Sequence, residues 1–99
     1  MTDRSAVRLL ISGRVQGVGY RYWAVNTARG LALDGWVRNL TDGRVEILAL
    51  GGADRIGDLE NACHAGPRAA RVTGVARSEA DDDGSRGFSE KPTSEMAGD

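Results

Sequence analysis

The hydrophobic period changes from two residues to between three and four within the first thirty residues, and this change constrains the fold more than any other feature of the chain. Val7, Leu9 and Ile11 alternate with Arg8, Leu10 and Ser12, the repeat of a strand ending at Gly13. From Arg21 to Leu33 the residues Ala24, Val25, Ala28, Leu31 and Ala32 recur at helical spacing along one face. Gly30 costs that helix about 1 kcal/mol relative to alanine, so its last turn is expected to fray or stop early. A second strand is expected over Gly35–Leu40. Asp42-Gly43 is the strongest short hairpin signal in the chain, and it leads into a third strand over Arg44–Leu50.

Gly51-Gly52 ends that strand. Ile56, Leu59 and Cys63 then give the buried stripe of a second helix from Asp54 to Ala65, stopped by Gly66-Pro67. Ala70–Glu79 is a weaker strand, because Val72 and Val75 fall on opposite faces; a bulge near Gly74 reconciles them. Gly87–Lys91 reads as a short fifth strand at an edge, after an acidic, solvated loop around Asp81-Asp82-Asp83. The order β-α-β-β-α-β implies an α+β, ferredoxin-like sandwich: a mostly antiparallel sheet with two helices on one face. Residues 1–91 form the expected single domain, and 92–99 are expected to be a flexible C-terminal tail.

Ninety-nine residues suit one domain with a modest core. Cys63 is the lone cysteine, which excludes an intrachain disulfide framework and fits a reducing compartment. The apolar run near the N-terminus is too short for a signal peptide, and nothing approaches the roughly 18 apolar residues of a membrane span. A cytoplasmic monomer is the expectation, with no membrane partner.

Net charge is −1, but it is unevenly spread. Residues 1–44 carry seven arginines against three acids; residues 45–99 carry six bases against eleven acids. The stretch Ser12–Arg21, SGRVQGVGYR, lies in the positive half, which favours a small anionic ligand over nucleic acid. It is no P-loop, since the glycine spacing is wrong and no Lys-Ser or Lys-Thr follows; nor is it a dinucleotide fingerprint, since Tyr22 stands where the third glycine belongs. What survives is a strand end, a glycine turn and a helix start, whose unpaired N–H groups can hold an anion. Arg21 falls in the first helical turn, an unfavourable place for a cation that a bound dianion would offset. The plain alternative is a strand–helix turn with a solvent-facing arginine.

Gly13-Arg14-Val15-Gln16-Gly17-Val18-Gly19-Tyr20-Arg21 closely resembles the signature of acylphosphatases, in which G-x-V-Q-G-V precedes an aromatic residue and an arginine. Gly35-Trp36-Val37-Arg38-Asn39 with Gly43-Arg44-Val45 is similar to the second motif of that family. The resemblance covers roughly residues 6–91. It implies hydrolysis of the carboxyl–phosphate anhydride of a small acyl phosphate, without metal or cofactor. It further implies that Arg21 and the backbone amides of Val15, Gln16, Gly17, Val18, Gly19 and Tyr20 bind the phosphoryl group, while Asn39 positions the attacking water. Read without the family, Asn39 is an ordinary turn residue at a strand end.

Other residues have blander readings. Gln16 is expected to brace the loop through its side chain. Cys63 and His64 are neighbours on a helix and diverge by about 100°, which excludes a nucleophile–base pair. Trp23 and Trp36 are expected to pack in the core or at an edge, not to stack nucleic-acid bases. Three departures from the family are notable: Tyr20 replaces the commoner phenylalanine and brings a hydroxyl that needs a partner; Leu40 follows Asn39 where some members carry threonine; and Glu90 stands where an apolar residue is usual, which weakens the expected final strand. The alternatives on the same fold are a non-catalytic anion-sensing or protein-interaction module and the acylphosphatase-like domain of larger carbamoyl-transfer maturation proteins. No zinc-finger or transferase region accompanies the 99 residues, which argues against the latter.

Overall fold

The computed structural model describes residues 4–95. The elements are β1 (Ser5–Arg14), α1 (Tyr20–Gly30), β2 (Asp34–Asn39), β3 (Val45–Gly51), α2 (Ala53–Cys63), β4 (Arg71–Glu79) and β5 (Phe88–Glu90). They build one five-stranded sheet in the order β4-β1-β3-β2-β5, antiparallel except for the parallel pair β2–β5. Val7, Leu9 and Ile11 share a face with Val37, Val45 and Ile47, and both helices cover it: Ala24, Val25 and Ala28 from α1, Ile56, Leu59 and Cys63 from α2. The ferredoxin-like α+β arrangement follows, because each crossover helix buries its one apolar stripe against the same sheet face.

Two expected details take a definite form. α1 stops at Gly30, three residues before its apolar period ends. Ala32 turns left-handed at φ 58°, Ala32 N–H donates to the Arg29 carbonyl and Leu33 N–H donates to that of Ala28. This Schellman closure satisfies the helix carbonyls and still returns Leu33 to the core. Between β1 and β4 the register steps from Ser12↔Gly74 to Gly13↔Val72, so Thr73 is the extra residue of a bulge beside Gly74.

On the opposite sheet face Glu46 is buried, and its two oxygens accept from Arg8 Nε at 2.7 Å and Arg38 Nε at 2.6 Å. That triad ties β1, β3 and β2 together across the face the helices leave uncovered. Trp36 projects on this side with Arg38 and Lys91 stacked near its ring, while Trp23 packs against the core. The acidic loop is organised by specific partners: Arg4 Nε donates to Asp82 at 2.6 Å, and Trp36 Nε1 donates to Asp83 at 3.0 Å.

The final strand forms despite Glu90. Phe88 is buried in the core, and β5 follows β2 through Gly35↔Phe88, Trp36↔Ser89 and Val37↔Glu90. The chain then continues beside β2. Lys91 N–H donates to Val37, Ser94 N–H donates to the Asn39 carbonyl at 3.0 Å, and Thr41 N–H donates to Ser94 at 2.9 Å. The expected flexible tail is thus hydrogen-bonded as far as Ser94, and Met96–Asp99 lie outside the described residues.

Candidate active site

The glycine-rich turn is held from three sides. Val15 is almost completely buried and Val18 packs against the core, so two apolar pegs sink the loop into the domain. Between them Gln16 reaches across: its Nε2 donates to the carbonyls of Leu40 at 2.8 Å and Arg44 at 2.9 Å. The side chain of Gln16 is therefore a brace between this loop and the β2–β3 turn. Gly19, at φ 81° and ψ 17°, is the N-cap of α1; this left-handed conformation suits glycine and turns the chain abruptly into the helix.

The start of α1 has no match among its own side chains. No side chain caps it, and no acid stands in its first turn. The first intrahelical bond runs from Trp23 N–H to Gly19, leaving the amides of Tyr20, Arg21 and Tyr22 without helical acceptors. They border a pocket of about 230 Å3, where Gly17, Gly19 and Arg21 meet Asn39, Tyr22 and Glu90, with Val15 and Tyr20 behind them. Unpaired N–H groups, a positive helix end and a guanidinium converge there on one space, which suits an anion with several oxygens.

Asn39 reaches this pocket because of its register. It is the last residue of β2, pairs with Val45, and stands two residues beyond Val37 on the helix-covered face. Its Oδ1 is buried and has no hydrogen-bond partner among the described residues. An unmatched buried polar atom costs about 1–3 kcal/mol. Asn39 lines the pocket, and its buried carboxamide oxygen is not taken up by any described protein group.

Tyr20 turns the other way. Its hydroxyl donates to the Cys63 carbonyl at 2.7 Å, and burial raises the phenol pKa, keeping it a neutral donor. Cys63 is fully buried, with its thiol pushed up to about 11 chiefly by desolvation, whereas His64 is exposed. Neither lines the pocket. The pocket brings Arg21 and Asn39 together with Val15, Gly17, Gly19 and Tyr20 of the expected loop, whereas Gln16 and Val18 do not line it. It adds two residues that the sequence reading passed over as pocket members: Tyr22, the one large hydrophobic residue that is prominently exposed among the described residues, and Glu90, whose Oε1 lies 3.7 Å from Arg21 Nη1. Glu90 had a signal, as a carboxylate two residues past a core phenylalanine, but its neighbour across space did not.

Residues 7–90 match the family model described as Acylphosphatase. The chain belongs to the acylphosphatase family. It is similar to the acylphosphatase of Trichormus variabilis, with 51% identity over 85 residues, 86% of this chain and 84% of the relative. Among solved structures, an acylphosphatase from Coxiella burnetii superposes with a TM-score of 0.86 at 34% identity, covering 90% of this chain and 94% of that one. The acylphosphatase from Bacillus subtilis gives 0.84 at 38% identity, over 87% and 97% of the two chains. The acylphosphatase match thus takes in the whole pocket, from Val15 to Glu90.

Proposed function

We propose that this acylphosphatase-family protein hydrolyses the carboxyl–phosphate anhydride of a small acyl phosphate, releasing a carboxylate and inorganic phosphate. The observation that carries the reading is the meeting of Arg21, the uncapped start of α1 and Asn39, whose carboxamide oxygen has no described partner, around one pocket. The phosphoryl oxygens sit against the amides of the 15–20 loop, and the Arg21 guanidinium grips two of them side by side. Charge gathered on those oxygens as the P–O bond breaks is stabilised by donors already in place.

Asn39 approaches from β2, on a different element from the phosphate cradle, and its carboxamide orients the attacking water. A carboxylate is a good leaving group, so the reaction requires little help from a general acid. The water's proton passes to a substrate oxygen. The β2–β3 turn and the loop are locked together by Gln16, which fixes the distance between nucleophile and phosphoryl group.

Benzoyl phosphate hydrolysis, followed continuously, tests this. The wild type turns the substrate over and is inhibited by inorganic phosphate; Arg21→Ala loses about 10²–10³-fold. Ordinary turnover by Arg21→Ala sinks the assignment of Arg21, and phosphate binding without any turnover by the wild type makes the domain an anion sensor instead.

A further inference from the structure

Glu90 is placed in the pocket by the parallel pairing of β5 with β2. Phe88 fills the core beneath α1, and Glu90, two residues on and in register with Val37, points along the same face past the helix end. There its carboxylate meets Arg21, Oε1 to Nη1 at 3.7 Å, with the Arg21 and Glu90 side chains partly exposed at 36% and 44%. The first turn of α1 has no acid of its own, so Glu90 is the carboxylate that Arg21 faces at the helix's positive end. The arrangement is unusual in what it must do on substrate binding. A phosphoryl dianion needs the same guanidinium face, and a carboxylate beside it repels it.

We propose that Glu90 is the counter-ion of Arg21 before substrate binds, displaced by the phosphoryl group, and that this exchange weakens the site's grip on phosphate. The inference rests on the phosphoryl-binding role of Arg21 given above. Its consequence falls on the product: inorganic phosphate must also compete with Glu90, so the enzyme releases phosphate more readily than the cradle alone would allow. Because the pair is partly exposed, the competition is modest and screened by salt. Glu90 takes no part in bond breaking; it acts through Arg21.

The test is the inhibition constant of inorganic phosphate for the wild type, Glu90→Gln and Glu90→Ala, at low ionic strength and in about 1 M salt. Glu90→Gln keeps the shape of the side chain and removes its charge; Glu90→Ala shows whether any effect depends on the amide introduced. Both variants should bind phosphate roughly threefold to fivefold more tightly at low salt, with the gain shrinking towards none at high salt. Unchanged binding overturns the proposal. Weaker binding overturns it too, since it would make Glu90 a support that holds Arg21 in place. A gain that ignores salt rules out charge competition. Arg21→Ala serves as the separate control: if it binds phosphate as the wild type does, the underlying assignment of Arg21 has failed, whatever Glu90 does.

Discussion

The Tyr20 hydroxyl donates a 2.7 Å hydrogen bond to the carbonyl of Cys63, joining the first residue of α1 to the last residue of α2. This bond clamps the helix start that borders the pocket against the second helix. Tyr20→Phe leaves the buried Cys63 carbonyl without that donor and should lower stability by about 1–3 kcal/mol. Urea denaturation at constant m-value measures it, and an unchanged midpoint would show that the clamp contributes nothing.

Asn39 lines the pocket from β2, while the phosphate cradle proposed above belongs to the β1–α1 loop. Asn39→Ala should therefore lower kcat for benzoyl phosphate by about 10²-fold, through loss of water positioning. Its inhibition by phosphate should stay close to wild type. A parallel loss of phosphate affinity would recast Asn39 as a phosphate ligand.

Gly35 carries β2 closely past β3. It has φ +129°, and a Cβ there would lie 1.9 Å from the Leu48 carbonyl oxygen. Gly35→Ala should destabilise the domain by about 3 kcal/mol or more, and disturb Asn39 further along the strand. Gly57 is the contrast, a helical glycine of α2 where an added methyl would meet nothing within 4 Å. Gly57→Ala should stabilise by about 1 kcal/mol. Thermal melts of the two variants should move in opposite directions, and matched shifts would contradict the packing around Gly35.

Asp82 is held by the Arg4 side chain, which lowers its carboxyl from 3.8 to about 2. A depressed carboxyl pKa favours the folded state above the unfolded value, and that contribution disappears as pH falls from about 4 towards 2. Melting temperatures of the wild type and Asp82→Asn, compared from pH 6 to pH 2, should converge across that window. Curves that remain parallel would remove this pair from the acid response.

The site was largely legible where its determinants are local. The period change at Ser12–Arg21, the glycines of the turn and the Asp42-Gly43 hairpin act on neighbouring residues, so the strand–turn–helix cradle and the β2–β3 hairpin could be read in order. The stopping point of α1 was harder, because Gly30 only biases it; the left-handed Ala32 and the return of Leu33 to the core complete the stop. The brace from Gln16 to Leu40 and Arg44 could be suspected as a brace, but its partners could not be named.

The amino-acid sequence by itself determined the order of elements, the apolar faces that build one core, and the two motifs holding Arg21 and Asn39. Backbone propensity and hydrophobic period act over a few residues, and they are written there directly. Only the tertiary structure decided that β5 runs parallel beside β2, that Ser94 continues the pairing past Asn39, and that Glu90 confronts Arg21. Those relations depend on which strand edge remains open after the rest of the sheet has formed. An edge is a property of the assembled sheet, and no short run of residues encodes it.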